Sequence, residues 1–372
     1  MEDRKSNFEL LRIFCMFMIV LYHVILHGHV LENSQSHILS FACIVIVSLI
    51  IMHANIFFIL TGYFQCRLKF NLKKIIHFTI EVLFYNLLVI ILFSIFHIED
   101  FSFENFLKHL FLLDNSKNLW FVKIYFCLYV FSPFINYLIK SLTRKKHKFL
   151  IIISVIILCL IPYLTGNNGI IKNDGFTLYN AFVLYIIGAY IRMYPLENTG
   201  LDNYRKKMFL NYLLFAFVNL LVYSFSSYYS LNYKNIFSSI LFNFAKESFF
   251  YQNPLIIMQS IYFFLFFKCI NLTSKFVNFI SKSVFAVYLI TDNSLMEKYL
   301  YKWLLIDNGV IESFNFIFYV FLITIIIFVY CIFIDLIRRY LFKYIYDSNF
   351  CKKIDNKIKK YIAIHNFDID YR

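Results

Sequence analysis

Ten apolar stretches, each long enough to cross a lipid bilayer, recur along these 372 residues and leave the chain few folds to choose from. They fall at 8–30, 38–64, 75–96, 119–139, 149–165, 176–194, 208–229, 255–270, 276–295 and 314–341, of which the eighth and ninth are the weakest. Inside hydrocarbon every backbone N–H and C=O has to be satisfied within its own segment, so consecutive runs of this kind fold as packed helices. The 60% hydrophobic content agrees. The expected fold is therefore an all-α integral membrane protein of about ten transmembrane helices. It divides into a membrane-embedded unit over 1–345 and a basic cytoplasmic tail over 346–372, the tail being too short to fold alone. The stretch 237–251, with Lys246 and Glu247, reads either as a loop or as a re-entrant or interfacial piece. The first run has no small-residue cleavage site and is expected to be retained as a helix, not removed as a signal peptide. No internal repeat is visible, which argues against a transporter assembled from repeats.

Charge orients the bundle. With the N-terminus inside, 28 of the 36 Lys and Arg fall on cytoplasmic segments, seven fall on outer loops, and Lys123 lies within the fourth helix. That bias of about four to one is what the positive-inside rule predicts for both termini in the cytoplasm. The net charge of +14 needs no nucleic acid to explain it, because Arg144-Lys145-Lys146-His147-Lys148 and Arg205-Lys206-Lys207 are short turns suited to anionic headgroups. The eight Cys are scattered, mostly mid-helix, and read as small buried apolar residues with no disulfide implied. His23, His27 and His29 lack a carboxylate or Cys on the same face, so no metal is expected there.

A charge at mid-bilayer costs about 2.5–3.5 kcal/mol, so each polar residue within a run needs a reason. Those residues are Glu9, Arg12, His23, His53, Asn55, Glu81, Asn86, Lys123 and Asp292. Arg12 and His23 are eleven positions apart. Eleven helical steps turn about 1100°, roughly 20° past three turns, and rise about 16 Å, so both side chains share one face. Glu9 and Arg12, at i and i+3, can pair. That pair alone would be an ordinary interfacial salt bridge, and His23 alone would be a neutral imidazole bonded to a neighbouring helix. Together on one face they suggest a cation near the cytoplasmic surface below a titratable base deep in the membrane. Glu81 reads as structural, pairing with a basic residue among Lys73, Lys74 and His77. Trp120 by itself is an ordinary interfacial anchor. Asp292 is open between orienting a base, binding a hydroxyl and capping the outer surface.

Asn7-Phe8-Glu9-Leu10-Leu11-Arg12 running to Leu21-Tyr22-His23 resembles the first-helix signature Arg-x10-His of the acyltransferase-3 family of integral membrane acyltransferases. Phe57-Phe58-Ile59-Leu60-Thr61-Gly62-Tyr63 resembles its Phe-Phe-x-x-Ser-Gly-Tyr, with Thr in place of Ser but the hydroxyl kept. Leu119-Trp120-Phe121 with Tyr129 and Pro133, and Ser283 to Ile290 ending Val287-Tyr288-Leu289-Ile290, resemble two later segments in the same order. Thr291 stands where many members have His, which shifts weight onto His23. The resemblance covers about residues 7–345, and no extracellular esterase-like domain is expected after the last helix.

The resemblance implies an O-acetyltransferase, transferring groups other than amino-acyl groups, in a bacterial plasma membrane. Acetyl-CoA or another acyl-CoA would be the donor substrate, with no bound cofactor. The acceptor would be a sugar hydroxyl of an extracytoplasmic or lipid-linked glycan of the cell envelope. His23 and Arg12 would be catalytic, His23 as general base or as covalent acyl carrier. Arg67, Lys69, Lys73 and Lys74, at the cytoplasmic face, are candidates for the donor's phosphates. Glu9, Thr61, Gly62, Tyr63, Trp120, Tyr288 and Asp292 would support the site. A transporter or flippase of lipid-linked sugars is the main rival, since it too would use intramembrane Arg and His but would consume no thioester. A polysaccharide polymerase should carry large Arg-rich outer loops, whereas the outer loops here are modest and hold only Lys.

Overall fold

The computed structural model describes residues 6–28, 36–98, 103–111, 119–165, 174–195, 201–304 and 315–347. His29, Lys117, Lys172 and residues 348–372, which hold most of the expected tail, lie outside these. All secondary structure among the described residues is helical. In chain order, α1 is Asn7–His27, α2 His37–Ile50, α3 His53–Gln65, α4 Leu72–Ile95, α5 Phe103–Leu110 and α6 Trp120–Lys140. Helix α7, Arg144–Val155, continues through a π turn at Ile156–Leu160 into α8, Ile161–Thr165. Then come α9 Leu178–Met193, α10 Leu201–Asn232, α11 Ile236–Glu247, α12 Pro254–Lys268, α13 Lys275–Ile280, α14 Val284–Thr291, α15 Ser294–Leu304 and α16 Asn315–Asp347.

Seven of these helical rods are long and apolar enough to cross a bilayer: α1, α2 with α3, α4, α6, α7 with α8, α10 and α16. The chain is an integral membrane protein. Helices α9 and α12 are apolar but shorter, at 16 and 15 residues. The ninth expected run is not one helix, because a 3₁₀ turn at Ser281–Ser283 divides α13 from α14. Hydroxyl side chains that bond back to the main chain favour such a break, and Ser281 Oγ donates to the Asn278 carbonyl.

Local signals set the helix starts. Asn71 accepts from the Lys73 amide, Thr143 from Lys146 and Thr177 from Asn180, so each occupies the N-cap that its short polar side chain favours. Asn235 and Ser238 exchange hydrogen bonds in a capping box before α11. Ser6 ties the start of α1 to the link before α13, donating its amide to the Leu272 carbonyl at 2.8 Å while its Oγ accepts from Ser274 N at 2.9 Å.

The second run, expected as one helix, bends at Ile51 and Met52, and its polar neighbours explain how the bundle tolerates this. Gln259 Nε2 on α12 donates to the carbonyls of Ser48 and Leu49 at 3.0 and 3.2 Å, and the Tyr212 hydroxyl on α10 donates to Leu49 O at 2.8 Å. Carbonyls at membrane depth are thus satisfied by side chains instead of water. Beyond the turn residues Ile51 and Met52, α3 begins at His53.

Helices α3 and α9 cross with their backbones in close contact. A methyl group at Gly62 would sit 2.0 Å from the Tyr185 carbonyl oxygen, and one at Gly188 would sit 2.1 Å from the Ile59 carbonyl oxygen. Two backbones approach this closely only where neither carries a Cβ at the contact. On the far side, Arg338 of α16 pairs with Glu81 of α4 at 2.8 Å and with Asp335 at 2.7 Å, and the Tyr85 hydroxyl donates to Asp335 at 2.7 Å. Glu81 therefore finds its ion-pair partner across the bundle, not among the basic residues one turn before it.

Candidate functional site

Helices α1 and α3 run antiparallel. Phe8 packs on Tyr63 at one end, with ring centroids 5.2 Å apart, and Tyr22 packs on His53 at the other, 5.4 Å apart. Between them lies a cavity of about 310 Å³. Arg12, Met16, Ile19 and His23 line it from α1, steps of four, three and four residues that trace one helix face. From α3 the wall is His53, Phe57, Thr61 and Gln65, again one face. The shared face expected for Arg12 and His23 is thus the face that borders a real space.

The two ends of this space differ in chemistry. At one end Arg12 Nη1 donates to both Glu9 carboxylate oxygens at 3.0 Å and lies over the Phe64 ring. Lys74, from the first turn of α4, reaches the same cavity, with its ammonium 4.9 Å from the Tyr129 ring centre. At the other end His23 is nine-tenths buried, and its Nε2 lies 3.6 Å from Asp292 Oδ1. Among the described residues no group satisfies His23 Nδ1, which is also buried.

Asp292 is held from several sides. The Leu119 amide donates to its Oδ2 at 3.1 Å, and the Tyr288 hydroxyl also bonds to it. That hydroxyl in turn accepts from the Phe121 amide at 3.3 Å. Leu119 takes a left-handed backbone, φ 47°, and is fully buried, an unfavourable state for a non-glycine residue that here aims its N–H at the carboxylate. Of the alternatives open from sequence, Asp292 faces the imidazole. The end of α1 continues the polar line: the His23 and His27 rings are 5.1 Å apart, and His27 Nδ1 is 2.9 Å from Glu297 Oε1.

The remaining predicted residues take separate places. Thr61 lines the cavity, and its hydroxyl donates back to the Phe57 carbonyl at 2.7 Å. Gly62 permits the α3–α9 crossing, while the Tyr63 hydroxyl accepts from Arg192 at 3.1 Å. Trp120 is not an isolated interfacial anchor, because it lines the cavity, stacks on Tyr251 at 5.6 Å and meets Phe176 edge-on at 4.7 Å. Arg67 and Lys69 are exposed in the turn after α3, and neither they nor Lys73 line the cavity.

Among the wall residues that the sequence reading did not assign to the site are Tyr251 and His53. Tyr251, from the turn after α11, is carried into the cavity because Asn55 Nδ2 donates to its carbonyl at 2.9 Å, with Asn180 bonded to Asn55 at 3.2 Å. Segment 237–251 thus holds all but the first residue of helix Ile236–Glu247 and ends on a wall of the site. His53 is 1% exposed and also lines the cavity, and neither of its ring nitrogens has a protein partner among the described residues. The one available signal was its place among the polar residues that a bilayer should exclude.

Compared with known families, residues 5–336 match the model described as an acyltransferase domain. No curated protein and no solved structure matches the chain.

Proposed function

Because this chain belongs to the acyltransferase-3 family, a family of membrane acyltransferases, we propose that it carries an acetyl group from cytoplasmic acetyl-CoA to a sugar hydroxyl of an extracytoplasmic or lipid-linked glycan. One observation supports this reading above the others. A single cavity has two cations, Arg12 and Lys74, at one end, and at the other a buried imidazole backed by a carboxylate.

In this reading the donor enters from the cytoplasm, where the charge bias puts the N-terminus and with it the Arg12 end of the cavity. The chain crosses ten times, by the seven long rods together with α9, α12 and the α13–α14 unit, in a bacterial plasma membrane. Arg12 and Lys74 hold the phosphates of coenzyme A through charge-assisted hydrogen bonds. The pantetheine arm lies along the α1–α3 seam and brings the thioester toward His23, about 16 Å away.

His23 acts as general base. Asp292 faces Nε2 and so favours the tautomer with its proton there, leaving the Nδ1 lone pair for the acceptor hydroxyl. As the hydroxyl oxygen attacks the thioester carbonyl, its proton passes to Nδ1, and the imidazolium formed is stabilised by Asp292. Trp120 and Tyr251 offer the flat apolar surface on which a sugar ring can stack.

The test is ester-linked acetate on the surface glycan, measured by proton NMR before and after mild alkali. It compares wild-type cells, a deletion strain, and the deletion complemented with His23→Ala at normal membrane levels. Acetate lost in both mutant strains is expected. Acetate unchanged in the deletion strain would refute the reading and favour transport of lipid-linked sugars, and acetate restored by His23→Ala would remove His23 from the chemistry.

A further inference from the structure

We infer that His53 is the second catalytic imidazole of this cavity, the hydrogen-bond donor to the thioester carbonyl oxygen as negative charge builds on it. The inference rests on the acyl-transfer reading and adds to it the group that faces the developing oxyanion.

Three independent features of the fold lead there. First, leaving a buried polar group unpaired is costly, and His53 leaves two ring nitrogens without a partner among the described residues while only 1% exposed. A leucine would serve packing better at this depth. The imidazole is retained for something that enters the cavity. Second, its place is held from both sides, by Tyr22 with ring centroids 5.4 Å apart and by Tyr251 at 5.7 Å. Tyr22 is also the neighbour of His23 in sequence, its ring centroid 6.1 Å from that of His23, so the base and the proposed donor stand at the same end of the cavity. Third, the bend at Ile51 and Met52 makes His53 and Ala54 the opening residues of α3, and both line the cavity. The first turn of a helix favours negative charge in front of it.

The step balances with these groups alone. The acceptor oxygen bonds to the thioester carbon while its proton moves to His23 Nδ1. The carbonyl π pair moves onto the carbonyl oxygen, which accepts a hydrogen bond from a His53 ring N–H. Collapse of the tetrahedral intermediate re-forms the carbonyl and breaks the C–S bond, and the departing sulfur takes the proton back from the His23 imidazolium. The products are the sugar ester and coenzyme A thiol.

The experiment uses membrane vesicles holding the full-length protein and its native acceptors, with acetyl-CoA carrying a ¹⁴C label in the acetyl group. Label incorporation gives kcat and KM, and thermal melting of the detergent-purified protein reports folding. His53→Leu, similar in volume and free of unpaired polar atoms, should melt no lower than wild type. Its kcat should fall about 10²–10³-fold, as when an oxyanion donor is removed, with KM for acetyl-CoA within about threefold. His53→Gln, which keeps an N–H donor, should recover at least about tenfold over His53→Leu. Active wild type with His53→Leu kcat within about threefold of it would overturn the inference, as would a loss confined to KM, or Gln no better than Leu. Wild-type vesicles that transfer no label would overturn the acyl-transfer reading itself, and the role of His53 with it.

Discussion

The Nε2 of His23, on the first helix, lies 3.6 Å from Oδ1 of Asp292, at the end of α14, although 269 residues separate them in the chain. That separation is within ion-pair range but longer than a hydrogen bond. The carboxylate is fixed by Leu119 and Tyr288, so the imidazole takes its orientation from a group that is itself held.

Asp292→Asn should therefore damage the chemistry more than binding. An amide can present the wrong partner to Nε2 and lose the charge that stabilises an imidazolium. We expect kcat to fall about 10²-fold or more with KM for acetyl-CoA little changed. Steady-state transfer of labelled acetate in vesicles measures both, and a loss seen only in KM would contradict the orienting role.

The cations at the mouth should sort by whether they reach the cavity. Arg12→Ala and Lys74→Ala each remove a charge that borders it, and each should raise KM for acetyl-CoA about 10-fold or more. Arg67→Ala and Lys69→Ala change exposed side chains of the turn and should alter KM less than about threefold. Equal effects at all four positions would mean that the donor is held by the cytoplasmic surface at large.

Gly62→Ala tests the crossing of α3 and α9. Its methyl would land 2.0 Å from the Tyr185 carbonyl oxygen, and backbone cannot swing aside as a flexible side chain can. The two helices must separate, at a cost of about 1–3 kcal/mol. The purified variant should melt several degrees lower, as should Gly188→Ala. A wild-type melting temperature for Gly62→Ala would show that the helices are not so closely apposed.

Arg338→Ala should destabilise without touching the site. It would strand Glu81 and Asp335, whose carboxylates share this guanidinium within the bundle, and breaking a buried charge cluster in this way costs about 3–5 kcal/mol. Loss of folded protein from the membrane is expected. Arg338→Lys, which keeps the charge but not the forked geometry, should be intermediate. Normal folding of the alanine variant would mean that the cluster contributes little.

What the residues decided by themselves was everything that repeats over short distances. Hydropathy along each run marks the chain as membrane-embedded, because a bilayer reads one segment at a time. Helical periodicity put Arg12 and His23 on one face, because eleven residues come close to three whole turns whatever surrounds them. What α1 faces is another matter, since periodicity names a face and not its neighbour. Folding alone brought Asp292 to His23, set Arg338 and not a nearby lysine against Glu81, and carried Tyr251 inward on the Asn55 amide. His53 shows the division most plainly. Its sequence position says only that a polar residue lies in an apolar run. Its place on one face with Phe57, Thr61 and Gln65, and the packing of α1 against that face, make it a wall of the cavity. It stands just beyond a break at Ile51 and Met52, where Gln259 and Tyr212 from two other helices satisfy the carbonyls. Such contacts depend on which helices meet, and that is settled by shape and by the need to satisfy every buried polar group across the whole bundle at once.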